Sequence, residues 1–444
     1  MTQRFVQLLV TLFVCSQIIA QESVKVEGSI NSRVFLSSES LPFWMYSNNN
    51  GYVNEQSTFG IHAFAKAEFK ISDKSSLEGG TSLFYRDGTN ENLQRGNLFI
   101  SYTAPYFKIT VGAKASESLN VLSTTNENIL LSGNARALPG IVIEAPSFIN
   151  LTDKISIDYG LGHYILNDNR FVDNTKVHYK RLNLRYRTND SENFTIGVQH
   201  FAQWGGTSRT LGDLPDGLGD YFKIFLAQGG GEDSTDGEQV NALGNHLGSF
   251  DFSYEKQLKR GTIKTYHLHL FDDGSGTAFK NFPDGVWGAQ YTFNNNSILE
   301  TIMYEYVDTR SQSGSSGRSG RDNYFSNAGY RSGWTYEGRI IGLPFFELNP
   351  ETGLGITNNR VIAHNIGVSG TLKSVKISGK ATYLQNLGTY AGPLQTRQKK
   401  LLSYLSSTYR THNWGEISLL MGIDLINSEP DNYALSIGYR FFIN

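Results

Sequence analysis

The segment that ends the chain alternates between apolar and polar side chains with almost no interruption. Two sets of residues point in opposite directions: Leu435, Ile437, Tyr439 and Phe441 on one face, and Ser436, Gly438 and Arg440 on the other. A period of two residues is that of a β-strand with one apolar and one polar face. A chain built from such strands must cover its apolar faces with a protein core or with lipid.

Other segments repeat this pattern, including 60–71, 180–187 and 263–270. The polar face of 180–187 contains three arginines: Arg181, Arg185 and Arg187. The strands of a soluble sandwich would also alternate, but a water-filled lumen tolerates such a row of charges more easily. We therefore interpret the apolar faces as lipid-facing and the polar faces as the inner lining of a transmembrane β-barrel.

The composition excludes several other classes of protein. Hydrophobic residues make up 39% of the chain and aromatic residues 13%, and the net charge is −2. After the N-terminal segment no run of eighteen apolar residues occurs, which argues against transmembrane helices but not against a barrel. The small net charge argues against nucleic acid as a partner. Because no Pro-rich or Ser-rich linker divides the chain, we expect residues 21–444 to form a single domain.

Runs of alternation that are broken by turn residues predict about eighteen antiparallel strands. Their starts lie near residues 24, 60, 76, 93, 107, 139, 155, 176, 194, 248, 261, 286, 298, 361, 376, 397, 414 and 432. The connections alternate in length: short turns such as 72–75, 188–193 and 294–297 separate long stretches such as 204–247 and 308–360. Bacterial outer-membrane barrels have an even strand number, short periplasmic turns and long external loops. Both termini are then expected on the periplasmic side.

The first residues have the pattern of a secretory signal peptide. Arg4 provides a positive charge, an apolar stretch follows, and Ala20 is a small residue at the expected cleavage site. The only cysteine, Cys15, follows Val14, whereas a lipidation site would need a small residue there. We expect residues 1–20 to be removed, and the mature chain to reach the outer membrane of a Gram-negative cell without any cysteine.

The long connection 204–247 contains a helical pattern. Its apolar residues recur at positions i, i+3, i+4, i+7 and i+8, and they are Leu218, Tyr221, Phe222, Phe225 and Leu226. Asp216 is expected to cap this helix, and Gly229 to Gly231 are expected to end it. The pattern fits a surface helix of a soluble domain or a helical insertion, around 214–247, that plugs a barrel. We favour the plug, because a barrel of this size leaves a wide lumen.

Eight stretches carry a resemblance to a known family, and they keep their order over nearly the whole mature chain. They are LPFWMYSNNNG (41–51), SGNARALPGI (132–141), NDNRFVDNTKVHYK (167–180), HFAQWGG (200–206), GEQVNALGNHLGSFDF (237–252), DDGSGTAFKNFPDGVWG (272–288), EYVDTRSQSG (305–314) and GWTYEGRIIGLPFF (333–346). Together they resemble the capsule-assembly (Wzi-type) outer-membrane protein family in its Bacteroidetes form. The resemblance implies an eighteen-stranded barrel with a helical plug, and a lectin-like role in holding exported polysaccharide at the cell surface. It implies no individual ligand residue.

The C-terminal strand carries a second resemblance. Ser436, Gly438, Phe441 and Ile443 are similar to the signal that passes outer-membrane barrels to their insertion machinery, although Asn444 follows where such signals end on an aromatic residue. The resemblance implies that this machinery is a partner of the chain.

The loop 308–360 is the strongest candidate for polysaccharide binding. It combines arginines with aromatic residues: Arg310, Arg318, Arg321, Tyr324, Tyr330, Arg331, Trp334, Tyr336 and Arg339. Guanidinium groups can bind the carboxylates of acidic sugars through paired hydrogen bonds, and aromatic faces can pack on sugar rings. Two alternatives remain open. The Gly-rich and Ser-rich stretch 312–321 fits a disordered tip, and Trp334 and Tyr336 fit an aromatic girdle at the membrane interface.

The sequence predicts no cofactor, no metal site and no catalytic motif. GxSxG, HExxH and CxxC are all missing from it. His267 and His269 share a strand face, but without a carboxylate partner we expect them to belong to a polar lumen wall. An outer-membrane lipid hydrolase would need a serine and a histidine on adjacent strands. His163 and His200 are available for that role, but a single sequence does not pair them with a serine.

We therefore predict an all-β outer-membrane barrel that binds and anchors exported capsular or exo-polysaccharide and is not an enzyme. Its expected partners are that polysaccharide, outer-membrane lipid and the barrel insertion machinery. A porin or transport channel for small solutes is the alternative, and an outer-membrane lipid hydrolase is a further one. An open lumen would favour the channel, whereas a Ser–His pair at the lipid face would favour the hydrolase.

Overall fold

The computed structural model describes residues 24–116, 119–231, 239, 242–294, 298–314, 322–411, 414–427 and 429–443. The predicted signal peptide, Cys15 and Asn444 lie outside these residues. Eighteen long strands form one closed barrel: β1 Val24–Ser37, β2 Phe59–Ser72, β3 Ser75–Arg86, β4 Leu93–Thr103, β5 Lys108–Ala113, β6 Pro139–Glu144, β7 Ile155–Leu166, β8 Thr175–Asn189, β9 Glu192–Trp204, β10 Asn245–Leu258, β11 Gly261–Phe271, β12 Gly285–Phe293, β13 Leu299–Asp308, β14 Val361–Leu372, β15 Val375–Gly388, β16 Pro393–Arg410, β17 Glu416–Ile426 and β18 Asn432–Ile443.

The sheet closes because its first and last strands pair. Each strand is antiparallel to the next, and β1 pairs with β18 from Gly28 opposite Ile443 to Ser37 opposite Ala434. Closure leaves no strand edge, and each unpaired backbone group at such an edge would cost several kcal/mol in hydrocarbon. The predicted all-β barrel of about eighteen antiparallel strands is confirmed.

The predicted alternation of short and long connections holds for most of the barrel. Two connections depart from it: 389–392 is short where a long stretch was expected, and 145–154 is long where a short turn was expected. The largest error in a predicted strand start is at Pro393, which was placed at 397. Short turns, such as 73–74 and 259–260, lie at the barrel end that also holds Val24 and Ile443. We name this end the short-turn mouth and the opposite end the long-loop mouth.

The outer wall of the barrel is apolar over much of its surface. On β18, Leu435 and Ile437 are exposed while Ser436 is buried, as the alternation predicted. On β8, Leu184 is exposed on the outer face, whereas Arg181 points inward and donates to Asp158 Oδ1 at 2.9 Å. Successive side chains therefore separate a lipid-compatible surface from a polar interior.

Three loop segments, 41–58, 119–138 and 322–359, fold into the barrel and fill much of its lumen. We call these the interior loops. Their apolar residues form one buried cluster with inward-facing wall residues, including Trp44, Ile129, Leu130, Tyr324, Trp334, Tyr336 and Phe345 with Val177, Phe201, Leu268, Val307 and Leu384. Glu305 on β13 fastens one loop, because it accepts hydrogen bonds from Ser123 Oγ at 2.8 Å and from Thr124 N at 2.6 Å. The lumen is thus plugged by loops.

The described residues contain three helical segments: α1 Phe43–Tyr46, α2 Leu218–Leu226 and α3 Gly274–Thr277. Helix α2, which was predicted as the plug, lies on the outer wall instead. Its Tyr221 and Phe225 pack on His178 of β8, with ring centroids 5.5 and 5.2 Å away. His178 shares the outward face of β8 with Leu182, which is exposed. Within the described residues, no helix is long and apolar enough to cross a bilayer.

The amphipathic pattern of α2 predicted a helix correctly but did not reveal which surface the helix covers. Three of the five predicted plug residues remain exposed: Leu218, Phe222 and Leu226. Gly217, not Asp216, occupies the N-cap position, and the helix ends at Ala227 in the left-handed conformation with φ of 51°. Asp216 pairs instead with Lys176 of β8, at 2.8 Å.

A second correction concerns the histidines of β11. Tyr266 and Leu268 of this strand face the lumen, where they join the buried cluster. His267 and His269 consequently face outward: His267 stacks on Trp287 with centroids 3.7 Å apart, and His269 stacks on Phe279 at 4.3 Å. Where interior loops fill the lumen, an inward-facing row can be apolar, so polarity alone misassigned the two faces.

Candidate functional site

The aromatic residues that were predicted to bind polysaccharide are buried in the plug. They are Tyr324, Tyr330, Trp334 and Tyr336. Trp334 Nε1 donates to Leu130 O at 2.7 Å, and the Tyr336 hydroxyl donates to Asn167 Oδ1 at 2.8 Å. These rings hold the interior loops together, and no free face is left for a sugar. The same contacts place Trp334 and Tyr336 in the lumen and not in a girdle.

Two of the predicted arginines are engaged within the protein. The Arg310 guanidinium donates to both carboxylate oxygens of Asp308, at 2.9 and 2.7 Å. Arg339 donates to Tyr46 O at 3.0 Å and to Val53 O at 2.6 Å. Arg339 therefore ties two interior loops together, and burial lowers its pKa. Its role in this conformation is structural.

Arg331 differs from these two arginines. Arg331 is exposed, and its guanidinium lies 4.8 Å above the ring of Phe171. Its charge is therefore accessible from the long-loop mouth. Arg318 and Arg321 lie outside the described residues.

Asp284 shows how firmly the loop 308–360 is attached to its neighbour. This carboxylate is fully buried and accepts hydrogen bonds from Ser311 N at 2.9 Å, Gln312 N at 2.7 Å and the Tyr324 hydroxyl at 2.9 Å. Burial raises the pKa of Asp284 to about 7, against the opposing effect of these hydrogen bonds. Burial also raises the pKa of Tyr324 well above its usual value. This cluster fastens the loop 308–360 to the connection that contains Asp284.

An open cavity of about 770 Å³ lies at the long-loop mouth, between the interior loops and strands β16 to β18. We call it the vestibule. Its volume is in the range of small-molecule sites. Acidic residues dominate its charged lining, which comprises Glu39, Glu55, Glu347, Asp424 and Glu429 with the single cation Lys400. The vestibule thus has the opposite charge to the arginine site that the sequence predicted.

Asp424 contributes a buried carboxylate to the vestibule, and one of its two oxygens lacks a hydrogen-bond partner in the described residues. Its side chain is only 5% exposed, and Oδ2 accepts a hydrogen bond from Phe43 N at 2.7 Å. Among the residues that the structure describes, its Oδ1 has no partner. A buried acceptor without a partner is costly, so a ligand hydroxyl that donates to it would be favoured. Glu347, in contrast, is paired with Lys400 at 2.8 Å.

Helix α1 separates the vestibule from a second cavity. Phe43 and Tyr46 contribute to the vestibule, whereas Trp44 and Met45 line a cavity of about 350 Å³ on the short-turn side. The turn packs tightly on β17, because a Cβ at Gly422 would lie 2.7 Å from Met45 Sδ. Helix α1 is therefore a septum, one helical turn thick, across the remaining open part of the lumen.

Sequence patterns did not single out the vestibule, although one signal was present. Residues 41–51, which contain the septum helix α1, contributed only to the family resemblance. On β17 the exposed residues Met421 and Ile423 fix the outward face, so Asp424 has to point inward. A carboxylate at a lumen-facing position near the long-loop end is the sequence signal that could have indicated the vestibule.

Neither a metal site nor a hydrolase site emerges from the predicted histidines. In the described part of the chain, no three His, Cys, Asp or Glu side chains are arranged to hold a metal ion. His200 Nε2 lies 2.9 Å from His246 Nδ1, and the ring of His163 packs on Tyr221 of α2 at 6.2 Å. Both histidines are on the outer wall, in contact with other rings.

Comparisons with known proteins give a family and a fold. A family model described as "Capsule assembly protein Wzi" matches residues 16–434. Among curated proteins, none matches the sequence at a significant level.

Solved structures resemble the whole chain despite low sequence identity. The Escherichia coli outer-membrane protein Wzi, described as a carbohydrate-binding β-barrel involved in group 1 capsule assembly, is 11% identical, with a TM-score of 0.59 over 97% of this chain and 87% of that one. OccK3 from Pseudomonas aeruginosa is 10% identical, with a TM-score of 0.51 over 95% and 96% of the two chains. OccAB4 from Acinetobacter baumannii is 10% identical, with a TM-score of 0.50 over 95% and 99%. These likenesses establish the barrel fold.

Proposed function

The chain belongs to the capsule assembly protein Wzi family, and from this membership we propose that it binds exported capsular or exo-polysaccharide and anchors it at the cell surface without catalysis. The observation that carries the proposal is the vestibule, an open polar cavity at the long-loop mouth that holds a buried carboxylate oxygen with no partner in the described residues. The carbohydrate binding described for the E. coli relative is consistent with this assignment.

The vestibule supports recognition of hydroxyl-rich sugar units rather than acidic ones. Carboxylate oxygens accept hydrogen bonds from sugar hydroxyls, and bonds to charged groups are the stronger ones. Asp424 and Glu347 would act as acceptors, while Phe43 and Tyr46 add ring surface nearby. A polymer presents the same unit many times, so modest affinity at one site is sufficient for retention.

The proposed setting is the outer membrane. The apolar outer wall would contact lipid, and the C-terminal strand β18 would be the segment that the insertion machinery receives. The long-loop mouth would face the exterior, since long loops of such barrels are external. Residues 1–20 would direct export and be removed. Arg331, exposed at this mouth, would add a contact for occasional acidic units.

Two rival functions have less support. A channel for small solutes would need a continuous path, whereas interior loops and the α1 septum occupy the lumen. A lipid hydrolase would need a serine beside a histidine at the outer wall, whereas His163 and His200 contact aromatic or histidine rings there.

The proposal is tested by deleting the gene and measuring how much polysaccharide stays attached to the cells and how much is shed. We expect the deletion to shift polysaccharide into the medium, and the wild-type gene to restore attachment. Asp424→Asn, which keeps the acceptor for Phe43 N, should restore attachment only in part. It should also weaken binding of the shed polymer to the purified protein by about ten-fold, because a hydrogen bond to a charged acceptor becomes a neutral one.

Asp190→Asn is a matched control, because Asp190 is an exposed carboxylate in a turn at the short-turn mouth. It should behave as the wild type. Equal attachment with and without the gene would overturn the anchoring function. Normal binding by Asp424→Asn would leave the function standing but move the site away from the vestibule.

A further inference from the structure

We propose that the cavity on the short-turn side of α1 is a second binding site, which takes an anionic sugar: a hydroxylated ring with a carboxylate or phosphate group. We call it the inner cavity. Its volume is about 350 Å³, which is within the range of small-ligand sites. The septum separates it from the vestibule, so the polysaccharide anchor and this site do not depend on each other.

The charge of the inner cavity is opposite to that of the vestibule. Its lining contains the cations Arg33, Lys380 and Arg440 and a single acidic residue, Glu416. Arg440 lies 4.0 Å from Glu416, so this carboxylate offsets at most one of the three positive charges. A net positive, partly enclosed lumen favours an anionic occupant.

Arg33 is positioned for a ligand by neutral groups. Its guanidinium donates to Ser418 Oγ at 2.7 Å and to Ser436 Oγ at 3.3 Å. Within the described residues it has no hydrogen bond or ion pair to a carboxylate. The serines hold the planar group in place without neutralising it, so its remaining N–H donors can form a two-point contact with a carboxylate or phosphate.

Lys380 faces the same cavity and is more deeply buried. It is 8% exposed, its Nζ lies 3.4 Å from the centroid of the Trp44 ring, and it donates to Ser123 O at 3.1 Å. A ring face and a carbonyl solvate the ammonium, and the buried carboxylate of Glu305 acts on it electrostatically from outside the cavity lining. An anion in the cavity would add to this partial compensation of the burial cost. The hydroxyls of Ser406 and Thr408 in the same lining are suited to bind sugar hydroxyls.

The ligand would enter through the short-turn mouth. Thr408 and Glu416 line both the inner cavity and a neighbouring cavity among the short turns, of about 400 Å³. In the orientation proposed above this mouth faces the periplasm, so the occupant is a free or chain-terminal anionic sugar on that side.

Calorimetric titration of the purified full-length barrel in detergent tests the site, with glucuronate, glucose 6-phosphate and glucose as probes. We expect at least one anion to bind about ten-fold or more tightly than glucose, and the preferred anion identifies carboxylate or phosphate chemistry. Arg33→Gln should weaken that binding by about ten-fold. Arg209→Gln changes an exposed arginine in the 204–247 connection at the opposite mouth and should leave that binding unchanged.

Equal binding of all three probes would overturn the proposal, and so would unchanged affinity of Arg33→Gln. If Arg33→Gln does not insert into the membrane, Arg440→Gln removes another positive charge of the same cavity, at a partly exposed position. Unchanged affinity of Arg440→Gln for the anion would also overturn the proposal. Cells that carry Arg33→Gln should retain surface polysaccharide normally, so failure of this site and failure of the surface anchor give different results.

Discussion

The two longest connections of the barrel pack on opposite sides of its wall, one inside the lumen and one outside. The connection after β13 enters the lumen, where Trp334 and Tyr336 are completely buried. The connection after β9 crosses the rim and places α2 on the outer wall, where Leu218 is 83% exposed and Phe222 is 63% exposed. Both connections are rich in aromatic residues, so apolar content alone does not decide which side a loop takes.

The polar partners of each loop explain the difference. Inside, Trp334 donates to a backbone carbonyl of another interior loop, so donors and acceptors of the plug satisfy one another. Outside, Lys176 pairs with Asp216 at the start of α2, and Lys180 donates to the carbonyl of Phe225 at its end. These lysines point outward on β8 and would be costly in hydrocarbon without partners. Helix α2 covers a polar patch of outer wall, whereas the loop 308–360 completes a core.

The largest effect is expected from Trp334→Ala in the interior loop. Loss of a completely buried tryptophan should lower the free energy of unfolding by about 3–5 kcal/mol, since a cavity remains in the plug. The loosened loops should also admit ions, so we expect conductance steps in planar bilayers where the wild type shows few. Urea unfolding in lipid vesicles and single-channel recording measure the two effects.

Trp414→Ala is the matched control, because Trp414 is 75% exposed at the short-turn end. It should change the free energy of unfolding by less than about 0.5 kcal/mol and leave the conductance unchanged. Similar behaviour of the two tryptophan variants would show that the interior loop is not the plug.

A smaller effect is expected from Arg339→Ala. Its guanidinium holds the backbone of the loop 41–58 through two carbonyls. Its removal should lower the free energy of unfolding by about 3 kcal/mol, because both carbonyls lose a charged donor. Arg331→Ala, in the same loop but exposed, should remain within about 0.5 kcal/mol of the wild type in the same urea titration. Equal losses would mean that both arginines are structural.

The barrel was predictable from the sequence because its signal is repeated in every strand. Lipid outside and closure of the sheet impose one alternation on each strand, and β18 follows it at Leu435, Ser436 and Ile437. Most turns were predictable because outer-membrane barrels have short turns at one end and longer loops at the other. Each of these constraints is local along the chain.

The contents of the lumen were not predictable in the same way. The helical period of α2 was correct, but its location depends on His178 and Lys180, which are distant in sequence and face outward on β8. Leu182, Lys180 and His178 are spaced two residues apart on β8, so they share one face of the strand. Because Leu182 was predicted to face lipid, this spacing would have placed His178 and Lys180 on the outer wall. It would also have shown that another segment of the chain must shield them from lipid. No comparable rule reveals that Trp334 inserts next to Leu130, because that contact joins two loops without a period.

The smallest effect is expected from Tyr221→Ala on the outer helix. Its ring packs on Trp204 and His178, with centroids 5.7 and 5.5 Å away, so its loss should weaken the attachment of α2 by on the order of 1 kcal/mol. Amide hydrogen exchange should accelerate in Leu218–Leu226 while the barrel strands keep their protection, because α2 would open as a local unit. Phe222→Ala removes a mostly exposed ring of the same helix and should leave that exchange unchanged. If Tyr221→Ala shows new conductance, or if the amides of every barrel strand lose their protection from exchange, α2 helps to seal the lumen. The distinction between interior loops that plug the barrel and a helix that only covers its outer wall would then be wrong.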